Sequence, residues 1–174
     1  MQPWHETRGT RSPPDEQPTA DRRALMRTVC AGLVFVALAG CSSAPKVTSV
    51  SGNVVAATDL NPSVSQRPSP LLLRIYELKS AAAFNQADFM ALYQGDAAAL
   101  GAEMVAREEL TLQPGESRPL NKPLNADTRF VGVFAAYRNL EKARWRAVLP
   151  VQPGQAQKLT IRADALAVSI QAVP

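Results

Sequence analysis

Apolar positions recur along most of the chain with a period of two. Val50, Gly52, Val54 and Ala56 share one face of a first strand within residues 47–57, which Gly52 weakens. Residues 58–70 break the pattern with three prolines and several Asp, Asn and Ser residues, the composition of a loop. Residues 71–78 form a strong second strand, with Leu71, Leu73 and Ile75 facing one way and Leu72, Arg74 and Tyr76 the other. Residues 80–102 switch to helical signals: Ser80, Asp88 and Asp96 can cap three short helices, with Gly95 and Gly101 as stops. Phe84, Phe89, Leu92 and Leu100 are their inward side chains. The period of two then returns. Strands are expected at 107–113, 117–124 (an edge strand marked by proline), 129–138, 143–151, 158–162 and 166–171, with Pro114-Gly115 and Pro153-Gly154 as turns. Residues 129–138 are apolar on both faces, as a central strand would be. Seven or eight short strands with one helical insertion describe a mainly β two-sheet sandwich.

The first forty residues follow different rules. Residues 1–25 are rich in proline and charge and lack apolar periodicity, so they read as disordered or as lying upstream of the true start. Met26-Arg27 then leads into a twelve-residue apolar run, 28–39, too short for a bilayer that needs ~20 residues. The run ends in Leu38-Ala39-Gly40-Cys41, small residues before a cysteine, which is the bacterial lipobox. Residues 26–40 are therefore expected to be a fifteen-residue lipoprotein signal, Cys41 the lipidated N-terminus and 41–46 a tether. Ser42 is not the aspartate of inner-membrane retention, so the expected address is the outer membrane.

This cleavage changes the available chemistry. The chain has 174 residues, one histidine and two cysteines. His5 and Cys30 are lost with the leader, and Cys41 is acylated. The mature part keeps neither the commonest general base and metal ligand nor a free thiol nucleophile. No nucleophile elbow and no glycine-rich phosphate loop is present. Glu108 and Glu109 would point to opposite faces of a strand, so they form no dyad and read as a solvated edge. No catalytic residue, metal ligand or cofactor is expected. The mature part holds 14 Lys and Arg against 11 Asp and Glu, spread rather than clustered. Arg138, Arg144 and Arg146 beside Trp145 therefore read as a solvated sheet face, not a nucleic-acid surface.

Four segments in order carry a resemblance: Asp59-Leu-Asn-Pro62; Arg74-Ile-Tyr-Glu-Leu78 leading to Phe84-Asn-Gln-Ala-Asp-Phe89; Leu112-Gln-Pro-Gly-Glu-Ser117; and Gly132-Val-Phe-Ala-Ala-Tyr-Arg138 followed by Ala143-Arg-Trp-Arg146. With the lipobox in front, the chain resembles the TssJ family, outer-membrane lipoproteins of the bacterial type VI secretion system. The resemblance implies a transthyretin-like sandwich facing the periplasm, held to outer-membrane lipid through acylated Cys41. It implies no enzymatic activity. The implied partner is the periplasmic C-terminal part of TssM, a large inner-membrane protein, so that the lipoprotein tethers the membrane complex. In the family, the loop between the first two strands carries much of that contact, which makes Asp59, Leu60, Asn61, Val64 and Arg67 the expected partner-binding residues. An exposed apolar pair, Leu60 and Val64, beside Arg67 would suit an interface, and a proline-stiffened loop costs less entropy to immobilise. The plainer reading is a connecting turn, with Asn61 restricted by Pro62. A lipid-anchored periplasmic domain that binds a small ligand or inhibits another protein is the alternative function. Large inward side chains argue against a cavity for such a ligand.

Overall fold

The computed structural model describes residues 46–173. The expected signal at 26–40, the lipidation at Cys41 and the leading residues 1–25 lie outside them. Eight strands build two four-stranded sheets: β1 (Ser49–Ala56), β2 (Leu71–Leu78), β3 (Met104–Leu112), β4 (Ser117–Pro123), β5 (Phe130–Ala135), β6 (Arg146–Pro150), β7 (Ala156–Ala163) and β8 (Val168–Val173). One sheet runs β4-β1-β7-β8 and the other β3-β2-β5-β6. β1 and β7 are parallel, and every other neighbouring pair is antiparallel. The two sheets are also joined along one margin: Arg144 accepts from Val168 N and donates to Leu166 O, both at 2.9 Å. The mainly β sandwich with a helical insertion after the second strand is thus as the alternation predicted.

Alternation places the core. Val50, Val54 and Ala56 from β1, Leu71, Leu73 and Ile75 from β2, and Leu159, Ile161 and Ala163 from β7 fill the space between the sheets. A second apolar layer lies on the other face of the β3-β2-β5-β6 sheet. There Tyr76, Leu78 and Phe134 pack under Phe84, Leu92 and Leu100. This is why β2 and β5 are apolar on both faces. Gly132 makes room: a Cβ there would lie 3.0 Å from Leu78 Cδ1 and 3.3 Å from the Phe84 ring.

The helical insertion departs from the sequence expectation in two ways. It contains α1 (Ala82–Gln86), α2 (Phe89–Leu100) and a 3₁₀ turn, Gly101–Glu103. Asp88 caps α2 as expected, accepting from Ala91 N at 2.7 Å. Ser80 Oγ accepts from Ala82 N, but the cap position of α1 is Ala81. Gly95 breaks α2 with φ −151° and ψ 48°, and Asp96 does not cap a third helix. Its carboxylate is buried and accepts from Arg107 Nη1 on both oxygens at 2.8 Å and from the Tyr76 hydroxyl at 2.8 Å. Arg74 Nη1 reaches the same carboxylate at 3.5 Å and donates to Leu92 O and Tyr93 O. Burial alone would raise the Asp96 pKa, but these bonds and the charges of Arg107 and Arg74 outweigh it and hold it low. Burial and the neighbouring Asp96 carboxylate push the Tyr76 hydroxyl up, so it stays a donor.

Arg146 was also expected on a solvated sheet face. Its guanidinium instead lies 4.6 Å from the Trp145 ring centroid and donates to Phe84 O and Ala87 O at the end of α1. Free carbonyls at a helix end attract a cation. Glu108 and Glu109 do point apart: Glu109 pairs with Arg74, Glu108 with Lys122. Among the described residues, every buried side-chain N and O has a partner, and no helix is long and apolar enough to cross a membrane.

The strands give the domain two distinct ends. The chain enters β1 at Ser49, just after Thr48, which accepts from Gly154 N through its hydroxyl and from Leu124 N through its carbonyl. Loops 57–70, 113–116, 136–145 and 164–167 gather at the opposite end. Eight-residue strands rising ~3.3 Å per residue separate the two ends by roughly 26 Å.

Candidate functional site

The β1–β2 loop has a buried base and an exposed tip. Leu60 has 0% exposure and belongs to the core between the sheets. Its amide donates to Ala57 O, and its carbonyl accepts from Ser69 N. Asn61 is also buried and sits at φ +46°, a left-handed conformation that asparagine tolerates. Its Nδ2 donates to Pro70 O, its Oδ1 accepts from Arg138 N, and its own amide donates to Ala165 O. One side chain thus holds the start of the loop to its end and to the β5–β6 loop. The tip closes on itself: Ser63 N donates to Arg67 O, and Arg67 N donates to Ser63 Oγ.

This geometry corrects two of the expected contact residues. Leu60 and Asn61 face inward, so no exposed Leu60–Val64 pair exists. Leu60 plugs the open end of the sandwich, and Asn61 positions the loop. Asp59, Val64 and Arg67 are exposed, Val64 fully so. Leu60→Ala is expected to cost about 2–5 kcal/mol of stability as a core truncation. Val64→Ser should stay within ~0.5 kcal/mol as a surface change. Paired thermal melts check both, and equal melting temperatures would refute the buried placement of Leu60.

The tip does not stand alone. Between it and the β5–β6 loop lies a concavity of about 1040 Å³. Pro62 and Val64 line it from the first loop, Arg138, Leu140 and Lys142 from the second, and Leu166 from the β7–β8 loop. The β5–β6 loop is fixed from below, since the Tyr137 hydroxyl donates to Asp164 O at 3.0 Å. Burial, and then the Asp164 charge, push that hydroxyl's pKa up. Arg67, Arg138 and Lys142 are exposed and have no ion pair among the described residues. The sequence placed Arg138 on a sheet face, yet β5 ends at Ala135. The one local signal was Leu140, an apolar residue in an otherwise polar turn. Nothing here assembles a metal site: among the described residues no three His, Cys, Asp or Glu side chains gather to hold an ion.

A filled sandwich whose distinctive concavity lies at an end built from several loops defines a β-sandwich module. A family model described as "Type VI secretion lipoprotein, VasD, EvfM, TssJ, VC_A0113" matches residues 48–166, from just before β1 to the β7–β8 loop. The chain belongs to this family of type VI secretion lipoproteins. It is 41% identical to the T6SS lipoprotein TssJ1 from Pseudomonas aeruginosa, with a TM-score of 0.71 over 74% of this chain and 98% of that one. It is 26% identical to Serratia marcescens Lip, described as a membrane-bound component of the type VI secretion system, with a TM-score of 0.64 over 72% and 97% of the two chains. A chain in a structure described as the T6SS protein TssM C-terminal domain (869-1107) from EAEC matches at 27% identity and a TM-score of 0.57, over 72% and 98%. No curated protein matches the chain.

Proposed function

We propose that this lipoprotein is anchored in the outer membrane through Cys41 and tethers the secretion membrane complex by binding the periplasmic domain of a TssM-type inner-membrane protein. It does so without catalysing a reaction. The observation that carries this reading is the two-ended domain. The chain arrives from Cys41 at one end, and the stiffened loops gather at the other. Lys46 lies five positions after Cys41, a covalent reach of at most ~18 Å. The entry end therefore stays near the bilayer that holds the lipid, and the loop end is directed into the periplasm. The match to a chain in a structure described by the TssM C-terminal domain supports a partner of that kind. Several acyl chains on one cysteine would give durable membrane attachment.

Cys41→Ser is expected to move the protein from the outer-membrane fraction to the soluble periplasmic fraction and to abolish secretion. Its sandwich should remain folded, because the lipid lies outside the core. Secretion at the normal level by a variant that still fractionates with the outer membrane would overturn the anchor assignment.

A further inference from the structure

We propose that the concavity between the β1–β2 and β5–β6 loops seats a segment of the partner's periplasmic domain that presents carboxylates around an apolar side chain, with Arg138, Leu140 and Lys142 forming half of the binding surface. This rests on the tethering function proposed above and names the chemistry of the partner at that site. Three independent features lead to it. The first is shape: about 1040 Å³ of open space lies between two loops, enough for several side chains of a protein segment. The second is rigidity. Asn61 links both loops through Pro70 O and Arg138 N, and Tyr137 holds the second loop to Asp164 O. The cleft thus exists before a partner arrives, which lowers the ordering cost of binding. The third is composition. Val64 is fully exposed and Leu140 is 37% exposed, so the cleft presents apolar side chains from both loops.

Charge selects the occupant. Arg138 and Lys142 line the cleft against a single acid, Glu141, and Arg67 stands on the neighbouring tip. None of the three cations is in an ion pair among the described residues. Arg129 and Lys158 are also without an ion pair, but Arg138 and Lys142 stand together in one cleft. An acidic partner would meet cations whose mutual repulsion it relieves, which favours encounter and fixes register. A basic segment would be repelled. The backbone N–H of Arg138 holds the loop while its side chain stays exposed, so the side chain is free for recognition.

The test titrates the purified partner periplasmic domain into the soluble domain by calorimetry. The compact unit Ala44–Pro174 contains every described strand and helix, and so serves as that domain. Three proteins are compared: wild type, Val64→Asp, and the double variant Arg138→Glu with Lys142→Glu. The proposal expects the double variant to weaken binding at least about tenfold. It also expects wild-type affinity to fall with added salt, the double variant to lose much of that dependence, and all melting temperatures to stay within a few degrees. Weakened binding by Val64→Asp with unchanged binding by the double variant overturns the acidic occupant and leaves the tethering function standing. Tighter binding by the double variant overturns it in favour of a basic segment. Wild-type affinity in both variants removes this end of the domain from the interface, and no wild-type binding overturns the tethering function together with the cleft.

Discussion

Gly52→Ala should lower the melting temperature of the domain by more than about ten degrees. A Cβ on Gly52 would lie 1.8 Å from the carbonyl oxygen of Leu159, a backbone atom of β7. No rotamer change can relieve that overlap, because neither atom belongs to a flexible side chain. Gly52 also sits at φ +142°, a conformation that side-chain-bearing residues rarely adopt. Relief would require β1 and β7 to separate in the middle of their sheet, where Val50, Val54, Leu159 and Ile161 anchor both strands in the core. The cost should exceed about 4 kcal/mol, which belongs to the extreme tail for single substitutions. Total domain stability is only ~5–15 kcal/mol. Circular dichroism of the purified variant checks this. A cooperative melt within a few degrees of wild type would show that the strands can accommodate the methyl group.

The second large effect is expected at Asp96. Asp96→Ala would leave the buried Tyr76 hydroxyl without its acceptor and remove the ion pair that Arg107 makes. Leaving the buried Tyr76 hydroxyl unsatisfied typically costs ~1–3 kcal/mol, and the pair with the half-exposed Arg107 adds little to that. Asp96→Asn should cost less, since an amide oxygen can still accept from Tyr76. It should also change the pH dependence. The folded pKa of Asp96 lies below its unfolded value, so its contribution is full above about pH 4 and is lost as pH falls through the folded value. The asparagine variant should therefore show a shallower loss of stability below about pH 4 than wild type. Some acid sensitivity should persist. Burial would raise the pKa of Glu77, but bonds from Asn125, Thr128 and Lys122 hold it low, and it loses its contribution in the same range. Urea melts at pH 7 and pH 3 compare the two proteins. Parallel pH profiles would refute the role given to the Asp96 charge.

The strands were legible in the sequence because period-two alternation is local. β1 buries Val50, Val54 and Ala56 and β2 buries Leu71, Leu73 and Ile75, as the alternation selected, and the double-faced apolarity of β5 marked a strand covered on both sides. Asn61, Arg146 and Asp96 were misplaced for a common reason: their partners come from other elements of the chain. Asn61 meets Arg138 across 77 residues, and Arg146 meets Phe84 across 62. Asp96 looked like a helix cap until β2 and β3 supplied Tyr76, Arg74 and Arg107. Leu60 looked exposed because its surroundings are polar, yet it covers the end of the core. The proline-rich segment was legible as a loop, which is one wall of the candidate site. The site's second half was not, because only the pairing of β5 with β2 and β6 brings Arg138, Leu140 and Lys142 opposite that loop.

The placement of β1 has a mechanical consequence. It is an interior strand, bonded along its length to β4 on one side and to β7 on the other. Its first residue follows the tether, and its last leads into the loop proposed to hold the partner. A pull between the two membranes would therefore run along the axis of β1. Such a load enters and leaves through the covalent backbone of one strand, so the ladders to β4 and β7 hold that strand in place without carrying the pull. A pull across an edge strand such as β8 would instead peel one ladder bond by bond. On the proposed attachment, tension would pass through the domain without peeling a strand edge.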